Sequence, residues 1–150
     1  MSRRLRDAVQ SLARVEPPAY VRPAARDERS PIFDEAIAEY AARRYQRAAD
    51  GLRRVIASDP DDLPATFYLA VSLMMTDEVD EAIECLTRLV SADEVTLRRP
   101  ASVLLAKAQM RTGALDAAER ALDAAVRGAS PEAAAAQDLL DRLRAARRRG

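Results

Sequence analysis

Few side chains in this sequence are equipped for chemistry. Cys85 is the single cysteine and histidine is absent, so no internal disulfide and no His/Cys metal site can form within one chain, and the commonest general base is missing. The densest carboxylate set, Asp77, Glu78, Asp80 and Glu81, falls where a turn passes into the start of a helix. Acids there oppose the positive end of the helix dipole, so they read as surface charge rather than as an acid/base pair. No phosphate-binding loop, dinucleotide glycine pattern or activated nucleophile is present. These residues predict a protein that is not an enzyme and carries no cofactor.

Two other sets suit recognition. The adjacent Met74 and Met75 are adaptable apolar side chains of the kind that repack around varied partners. Pro17-Pro18-Ala19-Tyr20 has the form of a short extended proline ligand of the type WW domains dock, a match we read as coincidence in a chain that looks bacterial. Cys85 lies beside the core face of a helix and reads as a small apolar filler.

The elements that must position these residues are helical. At 150 residues, 49% apolar and 32% charged, the chain is long enough for one folded domain and too apolar to be disordered. No run approaches membrane-spanning length. The N-terminus lacks the continuous apolar stretch of a secretory signal, so we expect a soluble protein in a reducing, cytoplasmic compartment with no membrane partner. Basic residues are 23 Arg against the single Lys107, a bias in keeping with a GC-rich bacterial genome.

Apolar spacing predicts a short amphipathic helix over residues 2–15 (Leu5, Ala8, Val9, Leu12, Val15), then an extended segment punctuated by Pro17, Pro18, Pro23 and Pro31. Seven helices follow, near 32–42, 45–57, 63–75, 79–91, 99–111, 115–127 and 131–147. Tyr45 with Ala48, Val79 with Ala82 and Leu115 with Ala118 recur inside the same helical pattern, about 34 to 36 residues apart, the period of a helix-turn-helix array. Asp59-Pro60-Asp61-Asp62 offers a capping Asp, Thr112-Gly113 closes a helix, and Ser130-Pro131-Glu132 opens the last one. Gly51 sits inside a helix at a cost of ~1 kcal/mol relative to Ala, which close helix packing would offset.

These residues resemble the tetratricopeptide repeat family over roughly residues 30–130. The second repeat matches through Leu69, Ala70, Leu73, Val79, Ala82, Leu86, Leu89 and Val90, and the third through Leu105, Ala106, Gly113, Leu115, Ala118, Leu122 and Ala125. The first is clear from Tyr45 onward, and Glu35 departs from the usual core leucine. The phrase Glu16-Pro17-Pro18-Ala19-Tyr20-Val21 is similar to a segment preceding such repeats in bacterial zinc-finger regulators related to anti-sigma factors. This chain has no Cys and His cluster, so zinc and sigma-factor binding do not carry over. The fold expected is an all-α superhelix (a tetratricopeptide-like solenoid) of three helical hairpins plus a C-terminal capping helix. Residues 1–30 would form an N-terminal helix and proline-rich linker, and 31–150 the repeat domain.

The resemblance implies that the first helix of each pair lines a concave groove. By register the groove takes Phe33, Ile37 and Tyr40 from repeat one, Phe67, Val71, Met74 and Met75 from repeat two, and Val103, Lys107, Met110 and Arg111 from repeat three. Mostly apolar, with positive charge at one end, it implies a protein or peptide partner whose segment is apolar or amphipathic. The same side chains at helical spacing also suit core packing. The carboxylate clamp of chaperone-binding relatives is not reproduced, since only Lys107 and Arg111 could serve.

Two alternatives share this architecture. The stripe of Leu5, Val9 and Leu12 could dock into the chain's own groove or a neighbour's, favoured by tethering. The charge is also segregated: residues 59–94 hold ten acids and only Arg88, while the N-terminal 30 residues and residues 142–149 are basic. Solvated helix faces account for this, and homo-oligomers joined acid to base are the sharper account. Arg-rich ends admit nucleic acid as a third class, opposed by the acidic middle and the lack of interleaved aromatics.

Overall fold

The structure, a computed structural model, describes residues 1–22 and 30–150. The middle of the proline segment, including Pro23, lies outside the described residues. Eight α-helices and no strands occur among those described: α1 (Arg3–Leu12), α2 (Pro31–Ala41), α3 (Tyr45–Ser58), α4 (Leu63–Met75), α5 (Val79–Ser91), α6 (Val95–Arg111), α7 (Leu115–Ala125) and α8 (Pro131–Arg149).

Helix starts follow the local chemistry. The Ser30, Asp62 and Ser130 side chains accept hydrogen bonds from the backbone N–H three residues on, at 3.3, 3.0 and 3.1 Å, and each helix carries Pro in its first two positions, where a missing N–H costs nothing. The helix-to-helix turns inside the hairpins repeat one geometry. Arg43, Asp77 and Gly113 have φ of 60°, 61° and 81°. The N–H of the following residue reaches back to a carbonyl in the last turn of the preceding helix: Arg44 to Glu39, Glu78 to Leu73 and Ala114 to Gln109, at 2.9, 2.8 and 2.9 Å. This closure satisfies carbonyls that a helix end would otherwise leave free. It also explains why α3, α5 and α7 start without a side-chain cap.

Two boundaries differ from the sequence expectation. Helix α6 begins at Val95 rather than 99, because the Glu94 carboxylate accepts from Thr96 N–H at 3.1 Å and the helix runs through Pro100. Helix α1 stops at Leu12, where the chain turns to extended backbone.

From α2 onward consecutive helices pack as antiparallel hairpins, and α2, α4, α6 and α8 also pack on one another in order, while α1 packs on α6 and α8. These four therefore form the inner layer and α3, α5 and α7 the outer, the arrangement of a stack of helical hairpins. Helix α4, at the centre, is buried from Ala65 through Met74. One core spans α2 to α6, and a second joins α1, α6, α7 and α8 through Val9, Leu12, Met110, Leu122, Leu140 and Leu143. Across the outer layer Arg53 of α3 binds Glu81 of α5 at 2.7 and 2.8 Å. Arg144 and Arg147 of α8 pair with Glu119 of α7, and Arg147 also pairs with Asp116. The Arg53 guanidinium lowers the Glu81 pKa.

A Cβ placed on Gly51 would lie 2.8 Å from the Cβ of Ala36, a rigid neighbour that only backbone movement could displace. Gly51→Ala should therefore lower stability by about 1 kcal/mol or more in urea denaturation, the overpacking cost exceeding the ~1 kcal/mol gain in helix propensity. A stabilised variant would show that α2 and α3 are not held this closely.

Candidate functional site

The concave face is built by the inner helices, and the chain's own residues 13–20 lie on it. The Arg111 guanidinium donates to the Ala13 carbonyl at 3.1 and 3.3 Å and to the Met74 carbonyl at 2.7 Å. One α6 side chain thus ties the N-terminal segment to the end of α4. One turn earlier Lys107 Nζ donates to the Arg14 carbonyl at 2.9 Å. Both cations meet backbone oxygens at the C-terminal end of α1, where the helix dipole is negative. Burial lowers the Lys107 pKa, partly opposed by the carboxylate of Glu16. Further along, the Tyr40 hydroxyl of α2 donates to the Pro18 carbonyl.

Apolar contacts complete the seat. Val15 is buried in the core shared by α2 to α6. The Tyr20 ring stands edge-on to Phe33 and Tyr68, with centroids 5.9 and 5.2 Å apart. Tyr68 in turn meets Tyr40 and Phe67 at 5.1 and 5.3 Å, and Tyr40 meets Tyr45 at 5.8 Å. All six aromatic residues of the chain therefore belong to one edge-to-face cluster, a geometry worth about 0.5–1.5 kcal/mol per pair beyond burial. Burial raises the pKa of both Tyr40 and Tyr68, with neighbouring tyrosines adding to the effect at each. The Val21 backbone also hydrogen-bonds Tyr68, which acts in the opposite direction.

Of the groove positions expected from register, Phe33, Tyr40, Phe67, Val71, Met74 and Met110 are buried, Ile37, Val103, Lys107 and Arg111 are half-buried, and Met75 is exposed. Lys107 and Arg111, the two cations that an incoming carboxylate would have needed, already hold carbonyls of the chain. What register alone missed is the resident segment. Its signal was present in the apolar side chains of Val15 and Tyr20 among the prolines, but nothing in the spacing said which surface they would meet. The phrase Glu16 to Val21 thus has a docking use within this chain.

Beside the resident segment an open cleft of about 950 Å³ remains between α6 and α8. Leu12, Val15, Phe67, Val103, Leu104 and Leu139 line it, and Val95 is at its edge, 76% exposed. Cys85 is buried, which raises its thiol pKa. Among the described residues no group of His, Cys, Asp or Glu is placed to hold a metal ion, and no helix is long and apolar enough to cross a membrane.

Residues 33–95 match the family described as tetratricopeptide repeat, and no curated protein matches the chain. The hairpins α2/α3 and α4/α5 are thus tetratricopeptide repeats, and α6/α7 continue the same turn geometry and inner-layer packing.

Tyr20→Ala removes a half-buried ring and two edge-to-face contacts. It should lower stability by about 2 kcal/mol in urea denaturation, with the α-helical circular dichroism of the folded state retained. An unchanged midpoint would show that the N-terminal segment contributes nothing to the fold.

Proposed function

We propose that this chain is a non-enzymatic protein-interaction adaptor that receives an apolar or amphipathic partner segment on the part of its concave side left open. Tetratricopeptide repeats commonly mediate contacts between proteins. The observation that carries the reading here is the cleft between the resident segment, α6 and α8, with its apolar floor of Val103, Leu104 and Leu139 and the exposed Val95 at its edge. Of the groove residues expected from register, Phe67, Val103 and Lys107 line this cleft; we assign the half-buried Val103 to partner contact, with the buried Phe67 beneath it and Lys107 keeping its bond to the Arg14 carbonyl. Phe33, Tyr40, Val71, Met74 and Met110 serve the fold in this reading.

A second reading is favoured by a specific observation, the seating of residues 13–20 on the concave face. In that reading the segment regulates access by leaving the groove when a partner arrives. Magnitudes favour the first. Val15 and Tyr20 of the segment, with Val9 and Leu12 of the helix α1 that leads into it, together stabilise by about 6–12 kcal/mol at ~1.5–3 kcal/mol per buried apolar side chain, before ordering entropy is counted. A partner displacing the whole segment would have to supply contacts on that scale, whereas the open cleft requires no displacement.

The test is affinity capture from a lysate with wild type and Val103→Asp, quantified by mass spectrometry, after equal thermal midpoints confirm folding. A partner recovered by wild type should fall about tenfold with the variant, equivalent to ~1.4 kcal/mol. Identical recovery would place recognition on another face.

A further inference from the structure

The open cleft does not end where its apolar floor ends. A second cleft, about 620 Å³, continues from it between α1 and α8, and the two share Ser11, Leu12 and Arg142. Helices α1 and α8 pack side by side here, with Leu5 near the start of α1 close to Gly150 at the end of α8, and Arg4, Ser11 and Leu12 line the cleft together with Asp141, Arg142, Arg148 and Arg149. The walls of this second cleft carry Arg4, Arg142, Arg148 and Arg149 against the single acid Asp141, over small apolar side chains. The first cleft is close to neutral, its Arg14, Arg99, Lys107 and Arg142 being interspersed with Glu16, Glu132 and Asp138.

The arginines of the second cleft are largely unneutralised. Among the described residues Arg4, Arg148 and Arg149 make no ion pair, and Arg142 reaches only Asp138, at 3.7 Å with both side chains mostly exposed. The neighbouring Arg144 and Arg147 differ, since they are paired with α7 acids. Positive charge is therefore left at one end of a continuous trough whose other end is apolar.

We propose that the partner is an acidic amphipathic polypeptide segment, its apolar part lying over Val103 and Leu139 and its carboxylates over Arg4, Arg148 and Arg149. This rests on the adaptor reading above and specifies the partner's chemistry. From Glu132 to Arg149 the trough follows α8 for about 26 Å at 1.5 Å per residue, the length of about eight extended residues. Guanidinium groups pair carboxylates in a bidentate geometry, and complementary charge fixes the direction in which the segment lies. A nucleic-acid strand fits less well. Glu16, Glu132, Asp138 and Asp141 along the trough would repel a phosphate at every step, whereas a polypeptide can confine its acids to one end. All six aromatic side chains are also held in the cluster around Tyr68, leaving no set of rings along the arginines for bases to stack on.

The test is selection of a random 16-residue peptide library on the full chain, followed by titration of the enriched peptides against three proteins: wild type, Arg4→Glu/Arg148→Glu and Val103→Asp. The expected winners carry acids clustered at one end and apolar residues at the other. They should bind the double charge reversal at least tenfold more weakly and lose affinity as salt is raised. Winners that need Val103 but carry no acidic cluster, or that ignore the charge reversal, would overturn this proposal and leave the adaptor reading standing. Winners indifferent to Val103→Asp, or no enrichment at all, would overturn both. A 16-nucleotide single strand that displaces the winners and binds more tightly would assign the arginines to nucleic acid and overturn the proposal.

Discussion

Helix α4 sets the constraint on which the rest of the structure depends. It is buried on every side from Ala65 to Met74, and a helix apolar all round must be covered all round. Its partner α5 and the neighbouring hairpins cover three sides, as in any stack of hairpins. The concave side carries Phe67 and Tyr68, apolar surface of the kind that drives association if left open. The N-terminal segment closes it, with Val15 and Tyr20 supplying the apolar surface and Arg111 joining its backbone to the last turn of α4.

That closure ties together parts of the chain that a repeat array would otherwise leave independent. In a solenoid each hairpin meets only its neighbours, so stability is a sum of local terms. Here α1 belongs to the core around α8, while Val15 and Tyr20 belong to the core around α4. One segment therefore spans both, and α6 touches each. A chain joined this way should respond to perturbation of either end as one cooperative unit. The open troughs lie along the seam where the segment meets α6 and α8, so the binding surface proposed above is partly made by the segment itself.

The helices and their repeat were legible because they rest on local rules: apolar spacing, capping Ser and Asp, and proline at helix starts. Gly113 was legible as a turn for the same reason. Asp77 was also placed at a turn, but its positive φ, like that of Arg43, was not legible, since neither residue type requires it and only the backbone bonding of the preceding helix imposes it. The start of α6 was obscured by Pro100, which reads as a first-turn residue but lies a full turn inside the helix. Of the surface that a partner could use, the sequence carried the register of Val103 and Lys107. It could not show that residues 13–20 meet the inner helices, because that contact joins positions up to 98 apart in the chain and has no period. That Arg4 lines one cleft with Arg148 and Arg149 is a product of the same long-range docking.

Residues 13–20 occupy the concave face of the repeats. Nuclear Overhauser effects between ring protons report it most directly, because Tyr20 meets Phe33 and Tyr68 with centroids only 5.9 and 5.2 Å apart. Cross-peaks from Tyr20 to both rings are expected in the full chain in dilute solution. Their absence, with the Tyr40 to Tyr68 cross-peak still present, would show an assembled array whose concave face stands open, and would contradict this docking.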